Sequence, residues 1–500
     1  MTNWLHHIPI LIVAVPLISA PICVLFTFGA NRKAAWLWTL LVSWFAFLCS
    51  IYLLNYVLEN GQISYHLGSW KPPLGIEYRI DVINAFVLLL VSGISAIAVP
   101  FGRLVVDREI EPDRQILFYT TYLLCLTGLL GVTITGDAFN IFVFLEISSL
   151  SSYVLIAMGV RSDRRALTAA YNYLILGTIG ATFFVIGLGF LYMVTGTLNI
   201  MDLSDRLTHL ADNKAVHAGY AFIIIGLTLK MALFPMHVWL PNSYTYAPSL
   251  ISIFLAATAT KVSIYVLLRF LFTVFGVSFD FIPLTLIFIF LPLAIIAIFF
   301  GSIGAIFQTN IKRLFAYSSV AQIGYIAIGI ALSNTIGLTA AILHIFNHAL
   351  IKGALFMAAG CLVYRVGKLT TDSIRGLGKE MPWTFSALVL AGLSLIGIPT
   401  TVGFISKWYL ILGIMENGWW PLIPLIVIGS LLAVVYMWKI IEAAYFFQAP
   451  RDRVPVKEVP LELLIPLWIL IGCNFYFGIQ ADITIGIANE AATSLLDHRP

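Results

Sequence analysis

Three titratable side chains recur at four-residue intervals in the segment LHIFNHALIKGALF: His344, His348 and Lys352. On a helix these positions share one face, each about 6 Å above the last. Imidazole changes charge near neutral pH and can accept a proton at one nitrogen while releasing one from the other. Two histidines and a lysine on one stripe therefore predict a water-bridged proton relay. A zinc pair at i, i+4 is the other chemistry, but no Glu lies between the histidines and no third ligand is evident.

Further ionisable groups stand in apolar runs: Lys230 in LTLKMALFPMHVWLP, Lys261 in AATATKVSIYVLL, Lys407 in LIGIPTTVGFISKWYLIL, and Lys439, with Glu146 in FNIFVFLEISSL and Glu442 as the acids. An ionised side chain at mid-bilayer costs about 2.5–3.5 kcal/mol even on lenient insertion scales, so each needs a partner, water or loss of its proton. Desolvation favours the neutral amine, and pairing with a carboxylate favours the ammonium, so a buried lysine is a switchable proton site. Glu146 can compensate Lys230 if their helices touch; the alternative is a fixed structural ion pair. For Lys261 the alternative is snorkelling to an interface. Arg269, near a span end, is expected to snorkel. Lys352 is placed nearer the membrane edge than the histidines, and Lys439 and Glu442, spaced i, i+3, are expected to pair. Pro235 follows Lys230, and Pro399 and Gly403 precede Lys407. Pro and Gly inside a span break backbone hydrogen bonds, which is tolerated only facing protein or a water-filled cavity, so each break predicts an aqueous pocket beside a lysine.

The elements holding these residues follow from composition. Of 500 residues 60% are hydrophobic and 10% charged, far below the quarter charged in soluble domains. The chain is predicted to be all-α and polytopic, with about 14 spans of roughly 20 residues. Those bearing on the site are 80–100, 138–159, 216–238, 246–272, 314–332, 336–362 and 383–413, with 461–480 the last. The first run, 4–28, lacks a preceding basic region and a cleavage pattern, so it reads as a retained helix. Alternate loops separate by charge. Seventeen of the 28 Lys and Arg, including Arg108, Arg165, Lys312, Arg365, Lys368 and Arg451, fall on one side; five, including Lys71, Arg79 and Arg499, fall on the other; six remain inside the spans. By the positive-inside rule both termini face the external or periplasmic side. The broken spans are the seventh and twelfth. Five is odd, so repeats of that length have opposite topology, which divides the chain into residues 1–114, a first repeat 115–272 (spans 4–8), an inverted second repeat 282–447 (spans 9–13) and a C-terminal helix and tail 461–500. The five cysteines are isolated, and no nucleotide-binding or metal-ligand spacing occurs. No cofactor, metal or nucleic acid is expected. Energy must come from an ion gradient or a partner protein.

The segments GDAFNIFVFLEISSLSSY (136–153), LKMALFPMHVWLPNSYTYAPS (229–249), NIKRLFAYSSVAQIGY (310–325), LHIFNHALIKGALFMAAG (343–360) and GIPTTVGFISKWYL (397–410) resemble, in order, the signatures of the antiporter-like membrane subunits of Mrp-type Na+/H+ antiporters, respiratory complex I and membrane hydrogenases. Within that family the DAFNIFVFLE form and the length are most similar to the D-type subunit of Mrp antiporters. The resemblance implies that Glu146 and Lys230 form an ion pair, that Lys261, His344 and His348 form a central relay, and that Lys407 is the terminal lysine of a second half-channel. Lys352 matches a family segment too. Asp137 and His237 lie within matched segments as accessory candidates, while Lys439 and Glu442 have no family role assigned. The implied function is proton translocation by one subunit of a multi-subunit complex in the lipid bilayer of a prokaryotic inner membrane, the complex exchanging protons for a monovalent cation such as Na+. A redox-driven proton pump is the alternative from the same family. A passive scaffold, whose polar residues only join helices, is the third reading.

Overall fold

In Asn- and Asp-bearing loops between apolar runs, a side-chain oxygen can accept the free N–H groups that open a helix. Asn31, Asp81, Asp137, Asn213, Asn310 and Asn334 all do this. The computed structural model describes residues 4–29, 31–277, 279–449 and 453–497; Arg451 and Arg499 lie outside them. Within these residues thirteen helices are long and apolar enough to cross a membrane. Two further helices, Pro382–Ile396 and Val402–Glu416, are each too short and are separated by a break at 397–401. They occupy the run 383–413 expected as one span.

The seventh span is also broken and is longer than expected. Lys214–Met231 ends where Ala232 takes the left-handed conformation, and the chain resumes as Trp239–Tyr246. The expected boundary at 238 thus becomes 246. A hydrogen bond closes the gap: the Trp239 indole N–H donates to the Leu229 carbonyl at 3.0 Å, which has left the regular ladder. The Trp239 ring stacks on Tyr173, centroids 4.1 Å apart. In the other break Gly397 has φ +96°, a conformation costly for any residue with a Cβ. A Cβ at Gly403 would collide with the Ser394 carbonyl, so the helix after this break folds back closely on the one before it.

Several boundaries move. Val82–Glu109 runs nine residues past the expected end at 100, which puts Arg103, Arg108 and Glu109 on a helix. Thr335–Val366 places Lys352 near its middle, fully buried, rather than toward the membrane edge. Lys312, counted with the loops, is buried in the first turn of Ile311–Ala331. Residues after 480, expected as tail, form the helix Ala481–Leu496 and pack against Thr335–Val366. Among the described residues the one sheet is an antiparallel hairpin, Ile63–His66 with Glu77–Ile80, outside the spans.

Arg269 does not snorkel. Its Nη2 lies 2.5 Å from both Asp81 oxygens and its Nε donates to the Tyr265 hydroxyl at 3.0 Å. Both partners are largely buried, and removing one partner of a buried pair leaves an uncompensated charge, at a cost of about 3–5 kcal/mol. Asp81→Asn is therefore expected to lower the melting temperature of the purified protein markedly, with Asp81→Asn combined with Arg269→Met recovering much of the loss. Equal melting of wild type and the single variant would remove this pair from the account of stability.

Candidate functional site

Lys230, Lys261 and Lys407 each sit where a helix is interrupted. A helix end exposes carbonyls carrying partial negative charge, which stabilises a nearby cation. Lys407 donates to the carbonyls of Leu395 and Ile396, at 3.0 and 2.8 Å, at the end of Pro382–Ile396, and to Ser430 Oγ at 3.1 Å. Lys261 donates to the Ala256 carbonyl. That carbonyl is turned toward it by an interruption at Thr258 between Ser249–Ala257 and Ala259–Leu268. Lys230 lies in the last turn of Lys214–Met231.

Among the described residues, Lys230 alone of these has a carboxylate within ion-pair distance. Its Nζ is 3.4 Å from Glu146 Oε1 on the helix Ala138–Ala157, and it donates to Ser149 Oγ, one turn on, at 2.7 Å. The ammonium is nearly enclosed, whereas the Glu146 side chain is 23% exposed.

The His344, His348, Lys352 stripe is buried along the centre of Thr335–Val366. His344 Nδ1 is 2.8 Å from Ser406 Oγ, and its Nε2 is 2.9 Å from Gln322 Oε1. The two imidazoles are nearly parallel, with centroids 5.9 Å apart. Both nitrogens of His348 are buried and have no protein partner among the described residues. Lys352 donates to Ser318 Oγ and to the Phe315 carbonyl. At the other end the Tyr325 ring lies 5.9 Å from His344 and 4.9 Å from the Lys407 ammonium. Polar groups thus run from Lys352 past both histidines and Ser406 to Lys407.

Other candidates fall outside this string. Asp137 caps the helix Ala138–Ala157, accepting from Asn140 N at 2.7 Å. His237 packs against Phe234 and Phe300, with Nδ1 lacking a hydrogen-bond partner among the described residues. Lys439 does not pair with Glu442; it donates to the Ile306 and Gln308 carbonyls at the end of Leu291–Ile306. Pro235 lies in the turn 232–238, after a cis peptide bond, and Pro399 in the break 397–401. Among the described residues no group of three or more His, Cys, Asp or Glu is assembled to hold a metal.

Sequence reasoning passed over Ser149, Gln322, Ser318 and Ser406, which supply hydrogen bonds to Lys230, His344 and Lys352. Gln322 carried a signal, as a lone amide in the apolar run AYSSVAQIGY. The serines carried none, since serine is common where membrane helices pack.

Residues 135–433 match the family described as NADH:quinone oxidoreductase/Mrp antiporter, TM. The chain is 40% identical to the NADH-quinone oxidoreductase subunit N of Desulforudis audaxviator, covering 98% of this chain and 97% of that one. It is 30% identical to the D subunit of the Na(+)/H(+) antiporter of Alkalihalophilus pseudofirmus over 90% of each. Its fold superposes on a chain of the Mrp complex from a Dietzia species with a TM-score of 0.89, at 25% identity, covering 99% and 98% of the two chains.

Proposed function

Because the chain belongs to the NADH:quinone oxidoreductase/Mrp antiporter membrane family, we propose that it is a proton-translocating subunit of a multi-subunit membrane complex, exchanging protons for a monovalent cation such as Na+. The observation that carries this reading is the buried hydrogen bond between His344 and Ser406, the residue next to Lys407 in the chain. Ammonium and imidazole hold and release protons, and neither binds a metal cation while protonated.

Repeats 115–272 and 282–447 each supply a half-channel. In the first, Glu146 sets the charge state of Lys230 and Lys261 receives the proton. His348 and His344 carry it onward, and Lys407 releases it beside the break 397–401. Moving one proton alters the cost of protonating the next site by Coulomb coupling, which makes transfer stepwise. The scaffold reading is disfavoured because a scaffold gains nothing from lysines buried without carboxylates.

The test is cation-dependent ΔpH dissipation in inverted vesicles from an antiporter-deficient host, comparing the complete complex with its Lys230→Ala version. Activity with Na+ that disappears in the variant, with assembly intact, supports the proposal. A second reading, proton pumping driven by a redox module, is favoured by the 40% identity to an oxidoreductase subunit. An assembled complex that is inert to cations but acidifies vesicles on quinone reduction selects it.

A further inference from the structure

A cavity of about 770 Å³ opens at the end of the bundle that carries most loop Lys and Arg. Five cationic side chains line it: Arg108, Arg165, Lys312, Arg365 and Lys368. The lining acids are Glu109 and Asp163, and both are committed. Glu109 accepts from the Ser249 N–H at 2.5 Å and from its hydroxyl at 2.6 Å, capping the helix that leads to Lys261. Asp163 accepts from Arg165 at 2.6 and 3.0 Å, and that hydrogen bond holds its carboxyl below the usual range. Arg108, Lys312, Arg365 and Lys368 have no carboxylate within ion-pair distance among the described residues.

The guanidinium groups are held in place by aromatic rings. Arg108 and Arg365 both pack on Tyr364, at 4.0 and 5.6 Å from its centroid, and Arg165 packs on Tyr246 at 4.6 Å. Two positive charges around one ring lie within about 10 Å, close to the screening length of physiological salt, and repel unless an anion lies between them. Arg365 Nε is buried and has no protein partner among the described residues. Fixed guanidinium planes match the paired oxygens of a phosphate. The volume is that of a ligand of hundreds of Å³, far more than one phosphate ion fills, and Val363, Val366 and Leu369 give the cavity an apolar wall. The end of a membrane bundle is also where lipid phosphates lie.

We propose that this cavity binds the phosphate group of an anionic membrane lipid, with Arg108, Arg365 and Lys368 as its cationic contacts and Lys312 at its floor. The bound headgroup braces the connection 247–248, which joins the second half of the broken seventh span to the helix approaching Lys261, with Ala247 the acceptor of Lys312 and Ser249 opening that helix.

The experiment uses the assembled complex, delipidated in detergent and then incubated with phosphatidylglycerol, phosphatidylcholine or inorganic phosphate; bound lipid is quantified by mass spectrometry and stability by thermal unfolding. Wild type is expected to retain phosphatidylglycerol over phosphatidylcholine, and Arg108→Gln combined with Lys368→Gln to reduce that retention roughly 10- to 30-fold. Lys368→Gln alone, at an exposed residue making no side-chain hydrogen bond, is expected to reduce it several-fold without disturbing assembly. If inorganic phosphate stabilises wild type equally and displaces the lipid, the phosphate chemistry stands and its source is the free ion. Equal retention of the two lipids, or no change in the Lys368→Gln variant, overturns the proposal.

Discussion

Lys261→Met is expected to abolish proton translocation, by at least a hundredfold, while the assembled complex melts at or above the wild-type temperature. Lys261 is fully buried, and among the described residues its ammonium donates to the Ala256 carbonyl alone. Methionine fills similar space and removes a charge whose burial costs about 2.5–3.5 kcal/mol, so stability has no reason to fall. A proton-carrying role predicts the loss of transport, and a helix-gluing role predicts the opposite pair of results. Lys261→Arg is expected to fail as well, because guanidinium does not release its proton in the working range. The measurement is ΔpH dissipation in vesicles alongside thermal unfolding of the purified complex. Transport surviving in an assembled Met variant would remove Lys261 from the path.

Glu146→Gln has the second largest expected effect, a loss of roughly 10- to 100-fold in transport with normal assembly. The carboxylate is the one acid within ion-pair distance of Lys230 among the described residues, and a hydrogen bond to a charged group is worth about 1.5–3 kcal/mol. Neutralising it raises the cost of the protonated amine by that amount and shifts the equilibrium toward the neutral form. Ser149 still accepts from Lys230 at 2.7 Å, so the lysine keeps its position and the change acts on proton affinity. The pH optimum should accordingly move down, since the Lys230 ammonium then forms only at lower pH. Glu146→Asp is expected to restore part of the activity. An unchanged rate and optimum in an assembled Gln variant would reduce the pair to a structural contact.

The two halves of the site differ in how readable they were. His344, His348 and Lys352 lie on one helix, and their spacing alone places them on one face. Pro235, Pro399 and Gly403 announced the interruptions, because their backbone chemistry is local. The break beside Lys261 had no such mark: Thr258 departs from helical geometry with neither Pro nor Gly at the kink. Lys312 was misread for a related reason. A lysine two residues after a helix-capping Asn reads as a loop charge, and only the packing of the connection 247–248 over it turns its ammonium inward. The expected Lys439–Glu442 pair failed because two carbonyls at the end of a neighbouring helix offered Lys439 a better site than a carboxylate on its own surface.

By itself the sequence determined that the chain spans a membrane many times, where two of its helices are interrupted, and which titratable residues fall inside apolar runs. These follow from hydrophobicity, helical period and backbone chemistry, all of which act over a few residues. Tertiary structure alone decided most of the partners: Ser149 for Lys230, Ser406 and Gln322 for His344, Asp81 for Arg269, Ser318 and the Phe315 carbonyl for Lys352, helix-end carbonyls for Lys261, Lys407 and Lys439. Each partner comes from another helix or from a broken turn, so its identity depends on which helix faces pack together, and side-chain type does not encode that.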